Sequence, residues 1–231
     1  MMDLKHTLGD FEEALRNARK AVLTMASITR QNLEHAINGL VERNEDLCND
    51  AIAEDEEVNF LERSIDQQGM EILMRFNPVA TDLRMVVATM KISTNLERIS
   101  DQAENIARRS RKILKKTAVP DAAWVSPVYE LASAILQDAI KSYAEDDLDL
   151  ALSLHKRDKG LDKLHRKTIK KYTALMESDP ANLKTYLNLI FIVRCLERVG
   201  DHAVNIGEDA VYINHGTDIR HIGPSALDEE E

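Results

Sequence analysis

The chain of 231 residues is 44% hydrophobic but only 4% aromatic, with 8 glycines and 5 prolines, a balance that suits helices and excludes a collagen-like or disulfide-stapled design. Forty acidic against 30 basic residues leave a formal charge of −10, which excludes nucleic acid as a partner held through a general basic footprint. No run of about 18 apolar residues predicts a membrane span, Met1 to Asp10 lacks the basic-then-apolar order of an export signal, and Cys48 and Cys195 stand far apart without a CxxC partner, so a cytoplasmic protein with two reduced thiols is expected.

Apolar residues at helical spacing predict six long helices. The first covers about 3–44 and the second 46–76, stopped by Asn77-Pro78 because a residue before proline is pushed out of helical geometry. The third covers 80–116, and 117–127, with two prolines, reads as a linker. Three more follow at 128–144, 147–177 and 182–214. The stretch 216–231 closes on Asp228-Glu229-Glu230-Glu231 without an amphipathic period and reads as a flexible acidic tail.

The third and sixth helices are copies. Leu96-Glu97-Arg98-Ile99-Ser100-Asp101-Gln102-Ala103-Glu104-Asn105-Ile106 returns 100 positions later as Leu196-Glu197-Arg198-Val199-Gly200-Asp201-His202-Ala203-Val204-Asn205-Ile206, with seven identities in eleven. Asp55, Val58 and Leu61 echo at Asp158, Leu161 and Leu164. The fold class is therefore all-α, with two tandem, sequence-related three-helix bundles at 1–117 and 118–215.

On a helical wheel, Leu196, Val199, Ala203 and Ile206 form one apolar stripe and Leu96, Ile99, Ala103 and Ile106 its counterpart. Glu97 with Asp101, and Glu197 with Asp201, fall on the opposite side, one turn apart. Like charges so placed destabilise a bare helix by a few tenths of a kcal/mol, roughly, and call for an arginine or a cation. Asp55, Asn59, Glu62 and Asp66 share an edge of the second helix, and Asp158, Asp162 and His165 the matching edge of the fifth. Converging carboxylates suit hard cations, and the imidazole widens the choice to iron, zinc or manganese. The competing reading is an ordinary solvated acidic face.

These residues resemble the PhoU family of phosphate-signalling regulators over nearly the whole chain. The resemblance rests on Asp55-Glu56-Glu57-Val58-Asn59, Pro78-Val79-Ala80-Thr81-Asp82-Leu83-Arg84, the duplicated motif at 96–101 and 196–201, and Arg220-His221. It implies a non-enzymatic, metal-binding negative regulator of phosphate uptake and of the phosphate-starvation response. Its implied partners are the ATPase subunit of the phosphate ABC importer and a phosphate-sensing histidine kinase. It further implies a homodimer, with peripheral placement at the inner membrane through those partners. Multinuclear clusters of iron or zinc, with manganese or magnesium as further candidates, would lie on Glu97 and Asp101, Glu197 and Asp201, Asp158 and Asp162, and Asp55 and Asn59. In the last pair Asn59 replaces the expected Asp, removing a charge and leaving a weaker ligand. Ser100 in place of Gly200 reads as a change of little consequence.

Other features read as structural. His202 flanks the stripe and is expected half-buried with a hydrogen bond. Asn105 and Asn205 are expected to bond carboxylates of a neighbouring helix. Arg108, Arg109, Arg111, Lys112, Lys115 and Lys116 read as a solvated helix end, and Met70, Met74, Met85 and Met90 as core or interface filler. A metal-free scaffold and a carboxylate-bridged metalloenzyme stay open as alternatives; acidic residues three before a histidine include Asp162 with His165 and Asp218 with His221.

Overall fold

The computed structural model describes residues 4–115, 122–217 and 219, with side chains from residue 9 onward. Six helices carry the fold, α1 (Leu4–Val41), α2 (Glu45–Phe76), α3 (Ala80–Leu114), α4 (Ser126–Glu145), α5 (Leu148–Ser178) and α6 (Leu183–His215), with short 3₁₀ turns at Ala122–Trp124 and Pro180–Asn182. No strand occurs among the described residues.

Local chemistry explains the boundaries. Asn44 accepts the amides of Asp46 and Leu47 ahead of α2, and Asp147 accepts that of Leu150 ahead of α5, each satisfying donors that a helix start leaves bare. Asn77 closes α2 in the left-handed region at φ 47°, and Gly216 does the same for α6 at φ 74°, where a glycine carries no Cβ penalty. The linker expected up to residue 127 ends sooner, because Ser126 and Pro127 open α4; proline is tolerated in a first helical turn, whose donors have no intrahelical acceptor.

Helix α3 packs on α1 and α2, α6 on α4 and α5, and α3 and α6 pack on each other. The last pair runs antiparallel, shown by Arg109 bonding Asn188, His202 meeting Asn95, and Arg84 reaching the carbonyl of Ile213. Antiparallel packing of two copies offset by 100 residues creates a local two-fold axis near Ile99 and Val199. Helices α1 and α4 meet across one side of this pair, where Arg19 donates to the carbonyls of Tyr143 (2.7 Å) and Ala144 (3.1 Å). The other side is left as a groove.

The core is continuous across the duplication. Leu33, Ile92, Leu96 and Ile106 of the first repeat and Ile135, Leu161, Leu189 and Leu196 of the second belong to one buried cluster. Each such side chain contributes about 1.5–3 kcal/mol on burial, and the pairing of α3 with α6 makes the two halves one cooperative body. The expected tail is anchored where it leaves α6: Ile219 is buried against Ala151 and Val211. An apolar side chain within reach of an apolar notch overrides the missing period. Residues 218 and 220–231, with His221 and the acidic end, lie outside the described residues, as does Lys116.

Candidate functional site

The apolar stripes fall in the core as expected, but the wheel's opposite side is not open water. Helix α3 is enclosed by α1, α2 and α6, so its acids turn against the edge of α2, and those of α6 turn against α5. Each repeat thus carries an acidic seam at a helix junction, in which Glu97, Asp101 and Glu197 are half-buried and Asp201 is exposed as expected. A single-helix wheel cannot see how many neighbours enclose the helix.

In the first seam Asp55 is held by hydrogen bonds, and Glu97 Oε2, buried without a hydrogen bond, is answered by the charge of Arg98. Asp55, buried on α2, accepts from Ser100 Oγ at 2.7 Å and from Asn59 Nδ2 at 2.8 Å. The buried Ser100 hydroxyl in turn accepts from Asn32 Nδ2 at 2.8 Å. Arg98 lies 3.3 Å from Glu97 and 3.4 Å from Asp101, and Arg108 takes Glu104 at 2.6 Å. Burial lifts the Asp55 and Glu97 carboxyls above their ordinary range; at Asp55 the Ser100 bond opposes it, and at Glu97 the charge of Asp101 adds to it.

The second seam has a further acid, Asp162, in place of Asn59, and Asp158 lacks the donors that hold Asp55. The 103-residue shift that carries Asn44 onto Asp147 carries Asn32 onto Ile135, and Ser100 is replaced by Gly200. Asp158 Oδ1 is therefore buried without a hydrogen-bond partner, and His165 Nε2 shares that condition. Burial first, then the charges of Asp201, Asp162 and Glu197, push Asp158 up to about 6. Burial, then Glu197 and Asp162, push Asp201 up to about 6 as well. The nearest cation to the Asp162 carboxylate is Arg166, at a distant 3.9 Å.

The exchange at 100 and 200 is not inconsequential. A Cβ built on Gly200 would stand 2.3 Å from Leu161 Cδ2 and 3.1 Å from Asp158 Oδ1. In the first repeat the smaller Val58 occupies the position of Leu161, and Ser100 fits. The pairs Val58 with Ser100 and Leu161 with Gly200 are two solutions to one packing volume, and only the first leaves a donor aimed at the buried aspartate. The departure of Asn59 from the motif was the legible hint, since Asn59 is the second donor to Asp55.

Four further expectations resolve differently. His202 is half-buried with its Nδ1 3.1 Å from Asn95 Oδ1, as expected, and burial followed by Arg198 and Arg98 lowers its pKa. Asn105 bonds the backbone carbonyl of Asp101, and Asn205 bonds Asn95; neither reaches a carboxylate, because both sit over the α3–α6 groove rather than the seams. Arg109 leaves the solvated end of α3 and stacks on Phe191 of α6 at 3.9 Å. Met70 and Met74 are exposed rather than core filler.

As a test of metal fit, the donor set of the second seam is apt: carboxylates raised by burial and by one another, and an imidazole nitrogen and a carboxylate oxygen without hydrogen-bond partners. Its side chains are not drawn together as a closed ion site, since no three His, Cys, Asp or Glu groups converge among the described residues. None of the described helices is long and apolar enough to cross a membrane.

Duplicated three-helix units fused through α3 and α6, each bearing an acidic seam, define a class of all-helical, internally repeated bundle proteins. The PhoU domain model matches residues 22–110 and 125–210. The chain belongs to the PhoU family, whose members are accessory proteins rather than enzymes. It is 33% identical over 226 residues to a phosphate-specific transport system accessory protein PhoU homolog of Pseudomonas aeruginosa, covering 97% of this chain and 93% of the relative. The PhoU accessory protein of Escherichia coli (strain K12) is 30% identical over 225 residues, again covering 97% and 93%. A crystal structure of PhoU from Pseudomonas aeruginosa superposes with a TM-score of 0.87 at 32% identity, covering 90% of this chain and 100% of that one.

Proposed function

We propose that this chain is an accessory regulator of a phosphate-specific transport system, restraining phosphate uptake and the phosphate-starvation response. It would act as an adaptor between the ATPase subunit of the phosphate ABC importer and a phosphate-sensing histidine kinase. The observation that carries this reading is likeness along the whole length to relatives named for that system. A cytoplasmic homodimer, drawn to the inner membrane through these partners, completes the proposal. Pull-down of the importer's ATPase from detergent extract tests it, together with deletion of the gene: starvation genes should stay switched on in rich phosphate, and normal repression with no second copy present overturns the reading.

The regulator would also hold metal at the second seam, through Asp158, Asp162, Glu197 and Asp201 with His165 in reach. Support comes from Asp158 Oδ1, a buried carboxylate oxygen with nothing to bond; a buried acceptor left so is destabilising by roughly 1–3 kcal/mol unless a cation or proton answers it. Oxygen donors with one imidazole suit iron or zinc, with manganese and magnesium behind them. The corresponding set Asp55, Asn59, Glu97 and Asp101 would bind more weakly, because a cation must first displace Arg98, Ser100 and Asn59. Metal analysis of protein purified without chelator, beside a Glu197→Ala/Asp201→Ala variant of unchanged helicity, checks this. Equal metal content in the two sinks the seam as the site, and metal-free protein after growth with iron and zinc favours a metal-free scaffold.

A further inference from the structure

The groove between α3 and α6 occurs twice, once on each side of the local two-fold axis, and the two copies differ in charge. One copy, about 260 Å³, is lined by Lys91, Thr94, Asn95, Asn205 and Asp209. It is neutralised from within: Lys91 lies 3.6 Å from Asp209, and Asn95 Oδ1 meets both His202 and Asn205. The other, about 230 Å³, has Asn105, Arg109, Phe191, Arg194, Cys195 and Arg198 on its walls. The 100-residue shift turns Thr94 into Arg194, Asn95 into Cys195 and Asp209 into Arg109, so one half gains cations where the other holds neutral or acidic groups.

Among the described residues those arginines form no close ion pair, although Arg198 acts at longer range on Asp201. The chain has ten more acids than bases, yet among the described residues no carboxylate forms an ion pair with Arg109, Arg194 or Arg198, while neighbouring Arg98 and Arg108 are both paired. Arg109 is positioned by neutral groups, donating to Asn188 Oδ1 at 3.3 Å and stacking on Phe191. All three arginines line one groove together with Cys195. The mate groove, with Asp209 and Thr94 in their places, shows that the packing of α3 on α6 does not require Arg109 or Arg194.

We infer that the groove formed by Arg109, Arg194 and Arg198 is a binding site for a soluble phosphate-type oxyanion. A planar carboxylate accepts one guanidinium fork well, whereas a tetrahedral dianion has oxygens for donors arriving from two helices and more fully offsets three cations. The space of about 230 Å³ accommodates a free ion of that kind. The groove opens on another side of α6 from the second seam, and Arg109 and Arg194 take no part in that seam.

The test is calorimetric titration of inorganic phosphate into the full chain, with Cys195 as an internal reporter. Bound anion should slow alkylation of Cys195 by iodoacetamide by covering the thiol on the groove wall; Cys48, fully buried, stays silent. One saturable site per chain is expected. Arg194→Thr, which installs the residue of the mate groove at an exposed position, should weaken binding on the order of tenfold or more, as removal of a charged donor does, and abolish protection of Cys195 without moving the melting temperature. Arg198→Gln repeats the test from the neighbouring turn. Absence of saturable binding at millimolar phosphate overturns the inference, as does binding that both variants leave unchanged. Capture of a polyglutamate peptide or of phosphatidylglycerol vesicles with no response to phosphate overturns it too, assigning the arginines to a protein or membrane contact.

Discussion

The two acidic seams start from one sequence motif and end in opposite electrostatic states. In the first, Asp55 is held by Ser100 and Asn59, and Arg98 spans Glu97 and Asp101. In the second, Gly200 and Asp162 stand where the donors were, and half-buried Asp158, with its Oδ1 left without a partner, is surrounded by acids and pushed up to about 6. Duplication shows that the helical scaffold tolerates either state. What differs is how buried negative charge is answered: by hydrogen bonds built into the chain, or by a proton or cation from solution.

The sharpest way to break this comparison is to move one seam's solution into the other. Gly200→Ser alone drives a Cβ against Leu161 and should destabilise the protein by about 2–3 kcal/mol, as overpacking does. Adding Leu161→Val reproduces the first repeat's pair and should recover most of that loss in a urea melt, while lowering metal content. A single variant as stable as the parent shows that the seam has slack and the packing argument fails.

Next in size is Ser100→Ala. It strips a donor from buried Asp55 and leaves Asn32 Nδ2 without its acceptor, so a loss of about 1–3 kcal/mol is expected. Chemical denaturation with matched m-values measures it. A neutral outcome means that Asp55 finds another partner and the seams are less different than their bonds imply.

The pH dependence is smaller and has a definite sign. Asp158 and Asp201 titrate near 6 when folded, above the unfolded carboxylate value of about 3.9, so the native state holds more protons between roughly pH 4 and 6. Stability of metal-free protein should accordingly be highest below about pH 4 as far as these groups contribute, and should fall as pH rises to 6. Asp158→Asn should flatten that slope and raise stability at pH 7 by about 1 kcal/mol, discounted for partial exposure. Added metal should reverse the trend, because it binds only the deprotonated carboxylates. Thermal melts at several pH values, with and without zinc, decide it; an unchanged slope in Asp158→Asn removes the second seam's special status.

The smallest effect is expected at Arg98→Gln. Arg98 is half-exposed beside both acids, so stability should change by less than about 1 kcal/mol, while the first seam loses its cation and should take up more added metal. No gain in metal would mean that Ser100 and Asn59, rather than Arg98, are what keep cations out.

Much of the fold was legible in the residues alone. Helix periods, the Asn77-Pro78 stop and the 100-residue repeat of the 96–106 motif are local signals, carried by spacing and turn chemistry that act within a few residues. The acids of both seams were legible as pairs for the same reason. Their surroundings were not: Asn32 and Ser100 stand 68 residues apart, and only packing brings that amide to that hydroxyl. The same holds at Gly200, whose need to stay small is set by Leu161 on another helix.

What the amino-acid sequence determined by itself is the helical class, the duplication, the stripes that enter the core and the identity of the paired acids, because each depends on residue type and short-range spacing. Tertiary structure alone decided which acids have partners, that Gly200 must yield to Leu161, and that Arg109, Arg194 and Arg198 share one groove. Burial and Coulomb interaction depend on distance through space, and antiparallel packing of α3 on α6 sets those distances between residues far apart in the chain.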